Sequence, residues 1–100
     1  MSLGDPKRRP THPGAVLRED VLPELGMSQT EFARLLGVGR LTVSDLLHEK
    51  RACSPEMAAR LGRLLGTSAA SWLNMQAALD LWEIEQQPGK LDCVKPLKVA

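Results

Sequence analysis

Aromatic side chains are scarce: Phe32, Trp72 and Trp82 are the whole set, tyrosine is absent, and the aromatic share is 3%. A platform on which successive bases of a single strand stack needs more rings than that. Cysteine and histidine are scarce too. Cys53 and Cys93 stand forty residues apart without a CxxC spacing, and His12 and His48 are the only histidines. That pattern excludes a metal site of ordinary ligand spacing, and each thiol reads as buried or idle. Charge of one sign is missing as well, since 13 Lys+Arg face 12 Asp+Glu for a net charge of +1. Residues 1–51 hold eight basic and seven acidic side chains, and residues 52–100 hold five of each. Such a chain does not coat nucleic acid indiscriminately; any binding needs locally arranged charge, and one copy alone binds weakly. No apolar run approaches the ~20 residues of a bilayer span. Lys7-Arg8-Arg9 leads into Pro10-Thr11-His12 rather than into the apolar stretch of a signal peptide, so the expected compartment is the cytoplasm. No strand-turn-helix context exposes a nucleophile and no glycine-rich loop cradles a phosphate. Catalysis, a cofactor and a metal are therefore not expected.

What is present is enough for one folded domain: 100 residues, 43% hydrophobic and 25% charged. Residues 1–11 are polar and proline-bounded and read as a flexible lead. Residues 12–87 read as an all-α domain of five helices, and residues 88–100 as a short tail that alternates weakly enough to be an edge strand. His12 caps the first helix ahead of Pro13. Val16, Leu17, Val21 and Leu25 share one face of it, Gly26 closes it, and Pro23 is expected to end or kink its last turn. Ser28-Gln29-Thr30-Glu31 is a capping box, opening a helix that carries Phe32, Ala33, Leu35 and Leu36 and stops at Gly37. A third helix, Arg40–His48, turns Val43, Leu46 and Leu47 inward. Ser54-Pro55 caps a fourth that runs to Gly66 with Leu61, Leu64 and Leu65 inside. Thr67-Ser68 opens the longest, which reaches about Gln87 before Pro88-Gly89.

The second and third helices carry the informative spacing. Gly37 stands four residues after Ala33, and Val43 and Leu46 follow it by six and nine. Ala33 must be small because the third helix passes over it, and Gly37 supplies the positive φ that ends the second helix in a tight turn. Val38, Val43 and Leu46 seal the corner from behind. This is the spacing of a helix-turn-helix, whose second helix enters a major groove.

The chain resembles the Cro/repressor-type (XRE) helix-turn-helix proteins and, within them, the HigA-type or VapI-like antitoxins. Four stretches carry the resemblance: His12-Pro13-Gly14 with Leu17-Arg18-Glu19; Ser28-Gln29 through Phe32-Ala33-Arg34; Leu36-Gly37-Val38 through to Lys50-Arg51; and Gly66-Thr67-Ser68 followed by Trp72-Leu73-Asn74-Met75-Gln76. They span residues 12–85. The resemblance implies a five-helix lambda-repressor-like DNA-binding fold. It also implies a dimeric repressor of its own operon that neutralises a co-encoded ribonuclease toxin.

On the third helix, Arg40, Leu41, Ser44 and Asp45 point away from the apolar face and are the candidate base readers. A guanidinium at Arg40 can bond bidentately to guanine, worth ~1–3 kcal/mol of discrimination, and Leu41 can meet a thymine methyl. Gln29, Thr30, Thr42, Lys50 and Arg51 are the candidate phosphate contacts. His48 reads as a helix-dipole partner at the helix end. Asp45 and Glu49 oppose DNA, unless Asp45 accepts from a cytosine amino group. On the last helix, Trp72, Leu73, Met75, Leu79, Leu81, Trp82 and Ile84 are too widely spread for one stripe. A second copy is expected to cover part of that surface, with Trp72, Met75, Leu79 and Trp82 at the dimer interface. Such a dimer sets two third helices about one DNA turn, ~34 Å, apart and calls for an inverted-repeat operator on double-stranded DNA. Two other readings stand beside this one: an interaction module that inhibits a partner without binding DNA, and a repressor with no toxin.

Overall fold

The computed structural model describes residues 8–97, which fold into helices with no strand among them. Helix α1 is an unbroken succession of Pro13–Val16, Leu17–Val21 and Leu22–Leu25; α2 is Gln29–Leu36, α3 Arg40–Leu47, α4 Pro55–Leu65 and α5 Ala69–Glu85. His12 caps α1 as expected, its Nδ1 accepting the Gly14 N–H at 2.8 Å while Pro13 takes the first helical position. Pro23 does not end α1. The turn before it, Leu17–Val21, widens to π geometry and the Leu22 N–H reaches back to the Leu17 carbonyl. That wider turn accommodates the proline ring, which would strike the carbonyl four residues back in a regular helix. The helix then runs on to Gly26.

Leu17, Phe32, Val43, Leu46 and Leu61 are wholly buried, and Leu22, Ala33, Leu36, Leu47, Met57, Ala58 and Trp72 complete the core around them. Phe32 is the largest side chain fully enclosed. Two leucines of the expected apolar sets lie outside the core: Leu25, placed on one face with Val16, Leu17 and Val21, is 48% exposed, and Leu35, carried by the second helix, is 41% exposed. Their helices turn Leu22, and Phe32, Ala33 and Leu36, to the core instead, and the expected positions fall just off those arcs. Leu64 and Leu65 are only half-buried, with Met57 and Ala58 taking the deeper places on α4. The first and third helices approach closely at Gly14, where an added Cβ would lie 1.8 Å from the Leu46 carbonyl oxygen. No other residue fits there.

Helix α5 has two opposed apolar faces. Trp72, Gln76 and Leu79 are buried and Met75 packs against the core, whereas Leu73, Ala77, Leu81 and Ile84 are exposed at helical spacing on the other side. Of the residues expected at the dimer interface, Trp72 and Leu79 instead face the chain's own core. They are 5% and 1% exposed inside their own chain, so most of each side chain is packed into that core. Met75 also leans on the core, and Trp82 is half-buried. Gln76 fastens this helix to the loop after α3, accepting the Cys53 N–H at 2.8 Å and donating to Asp80 at 2.9 Å. The Trp72 indole donates to the Thr67 hydroxyl at 2.9 Å. Of the two thiols, Cys53 is buried and Cys93 exposed. The chain beyond α5 passes through successive turns rather than an edge strand, and residues 1–7 of the expected lead and 98–100 of the tail lie outside the described residues.

Candidate nucleic-acid interface

Helix α2 starts at Ser28, whose Oγ accepts the Glu31 N–H at 3.1 Å. The second half of the expected capping box is not made. The Glu31 carboxylate turns to Arg34, whose Nε donates at 3.0 Å, and that hydrogen bond holds the Glu31 carboxyl below its usual range. At the other end Gly37 has φ 74°, and the N–H groups of Gly37 and Val38 return to the Arg34 and Ala33 carbonyls. Ala33, 2% exposed, lies in the closed corner that its small size was expected to permit. The last carbonyls of α2 receive a further donor unforeseen from sequence, Arg60 of α4, 2.7 Å from the Leu36 oxygen.

Helix α3 leaves the corner from Gly39, which offers no side chain to its first turn. Arg40 and Leu41 stand exposed at this end, and Leu41, at 72%, is the most exposed large apolar residue of any described helix. Thr42, Ser44 and Asp45 are half-exposed on the same helix, while Val43, Leu46 and Leu47 are buried behind them. Gln29 is half-exposed and Thr30 exposed at the start of α2; Lys50 and Arg51 are exposed just past α3. The fold thus brings the nine expected DNA residues to the helix-turn-helix and the loop that follows it, and buries none of them.

The far end of α3 is tied down. Arg18 of α1 donates to the Leu47 carbonyl at 2.6 Å and to Glu49 at 3.3 Å, and Arg9 reaches Glu49 at 3.1 Å. Glu49 ends the helix at φ 61°, with the Lys50 N–H bonded back to the Asp45 carbonyl at 2.8 Å. Burial acts to raise the Glu49 pKa, but the bonds from Arg9 and Arg18 outweigh it and hold the carboxyl below its ordinary value. Glu49 is therefore no free charge set against a phosphate, which removes half of the acidic objection raised by the sequence. His48 places Nδ1 2.7 Å from the Ser44 carbonyl, at the helix end where a dipole partner was expected. His12, 4% exposed, lies beside this loop. Burial lowers its pKa, against the opposite pulls of Glu49 and the Arg51 backbone. The roles of Arg9, Arg18 and Arg60 were missed because their partners are far along the chain and nothing local marks them.

A short second helix bonded at both ends of the turn, and a third whose outer face is free, define a helix-turn-helix protein. The family described as Helix-turn-helix matches residues 17–72. The uncharacterized HTH-type transcriptional regulator YbaQ of Escherichia coli is 45% identical over 78 residues, covering 78% of this chain and 69% of that protein. Antitoxin HigA-1 of Vibrio cholerae is 37% identical over 97 residues, with 94% of this chain and 90% of that one covered. The solved structure of antitoxin GraA in complex with its operator superposes with a TM-score of 0.83 at 41% identity, covering 99% of this chain and 100% of that one. The chain belongs to the helix-turn-helix family, in its HigA-type antitoxin branch.

Proposed function

We propose that this chain is the DNA-binding antitoxin of a toxin–antitoxin pair, a dimer that represses its own operon and neutralises a co-encoded ribonuclease toxin. The observation that carries the reading is the unequal treatment of the two ends of α3. One end is held by Arg18 and by the Glu49 turn, while Arg40 and Leu41 project from the other. A recognition helix needs that combination of rigid support and a free reading end. Arg40 and Leu41, with Ser44 and Asp45, contact base edges; Gln29, Thr30, Thr42, Lys50 and Arg51 hold phosphates. The exposed stripe of α5, centred on Leu81 and Ile84, supplies the dimer contact. The pairing doubles the phosphate contacts of a near-neutral chain. The protein acts by binding, without catalysis, cofactor or metal, and no described helix is long and apolar enough to cross a membrane. Its place of action is the cytoplasm, where operator and toxin meet.

The test is an electrophoretic shift with the duplex upstream of its own reading frame. Arg40→Ala should lose sequence-specific retardation while helicity and dimer mass stay as in the parent. Equal retardation by both proteins would remove Arg40 from base reading.

A further inference from the structure

Two open apolar grooves of similar size flank α4, and they differ in charge. One, about 350 Å³, is lined by Leu35, Leu36 and Leu64 with Arg60 and Arg63 at its edge. The other, about 360 Å³, lies between α1 and the α4–α5 turn, formed by Val21, Leu25, Leu65, Thr67 and Trp72 with Glu24 as the sole charged lining residue. Leu25 is 48% exposed there. Asp20, exposed four residues before Glu24, adds a second negative charge on α1, and neither carboxylate has an ion-pair partner among the described residues. None of the nine proposed DNA contacts lines this second groove.

From this contrast we infer that the α1–α5 groove is the docking surface for the ribonuclease, receiving an apolar side chain flanked by Lys or Arg. The inference rests on the toxin reading above. A ribonuclease holds a polyanion and so carries cationic surface. An acidic apolar groove complements such a surface, whereas the arginine-edged groove repels it. The groove is also separate from α3 and from the free stripe of α5, so the toxin can be held while DNA and a second copy are bound.

The experiment titrates the purified full-length chain with the purified product of the adjoining ribonuclease-like reading frame. Asp20→Lys combined with Glu24→Lys, both at exposed positions, should weaken that complex at least about tenfold. Leu25→Ala should weaken it by about fivefold, as a truncated interface anchor does. Arg63→Glu, in the other groove, should leave it within about twofold. Operator affinity and dimer mass should match the parent in all three. Undiminished toxin binding by the double variant, or loss on Arg63→Glu, would overturn the assignment of this groove. A change in dimer mass instead would assign it to the second copy and overturn it equally. Failure of the parent chain to bind the toxin at all would overturn the antitoxin reading itself.

Discussion

Helices α3 and α5 make opposite use of similar apolar content. On α3 the apolar residues are sorted: Val43, Leu46 and Leu47 are buried, and what faces outward is polar except Leu41. On α5 the apolar residues form two faces, of which the chain itself covers only the one holding Trp72 and Leu79. A helix sorted to one side is complete within its own fold, and the residue that breaks the sorting marks a contact with something else. A helix that is apolar on both sides asks for a second body along its length. Under the proposed function, the first helix serves recognition and the second serves assembly.

The contrast is tested most severely in the core beneath α3. Phe32→Ala should cost about 3–5 kcal/mol in chemical denaturation, while Leu41→Ala, on the outer face, should stay within about 0.5 kcal/mol. Gly14→Ala should cost roughly 2–3 kcal/mol, because its Cβ would meet the Leu46 carbonyl backbone. On α5 the response should be to assembly rather than to folding. Leu81→Glu should halve the mass seen by light scattering with helicity kept; a dimer from that variant would leave the exposed stripe without its proposed role. The smallest effect concerns His12, whose pKa is lowered by burial from the ordinary 6.5. Its neutral form is the one that accepts the Gly14 N–H, so its contribution to stability is full above pH 6.5 and declines as pH falls through the lowered value. His12→Asn keeps an acceptor at the cap and does not titrate. Unfolding followed against pH should show a shallower decline for that variant below neutrality.

The helix-turn-helix was legible because its signals are local. Ser28, Gly37, Ser54 and Ser68 each mark a helix end within a few residues of the groups they bond or cap. The outward face of α3 followed from the same short-range periodicity. What stayed hidden depends on distant partners. Leu35 and Leu25 sit one step from the buried arc, and only the placement of neighbouring helices decides which side of that arc is covered. The two apolar faces of α5 are equivalent as sequence, and only the packing of the other helices shows that Trp72 and Leu79 lie on the one the chain itself covers. Arg18 and Arg60 bond carbonyls 29 and 24 residues away. Glu49 reads as an opposing charge in sequence because Arg9 and Arg18, which bond it, lie 40 and 31 residues away.

The most direct measurement is selection of bound duplexes from a random pool at fixed salt, by the parent chain and by Arg40→Ala. The expected result is an enriched inverted repeat with half-sites about one helical turn apart, and loss of preference at one base pair in each half when Arg40 is removed. An enriched site without two-fold symmetry, or the same site from both proteins, would contradict it.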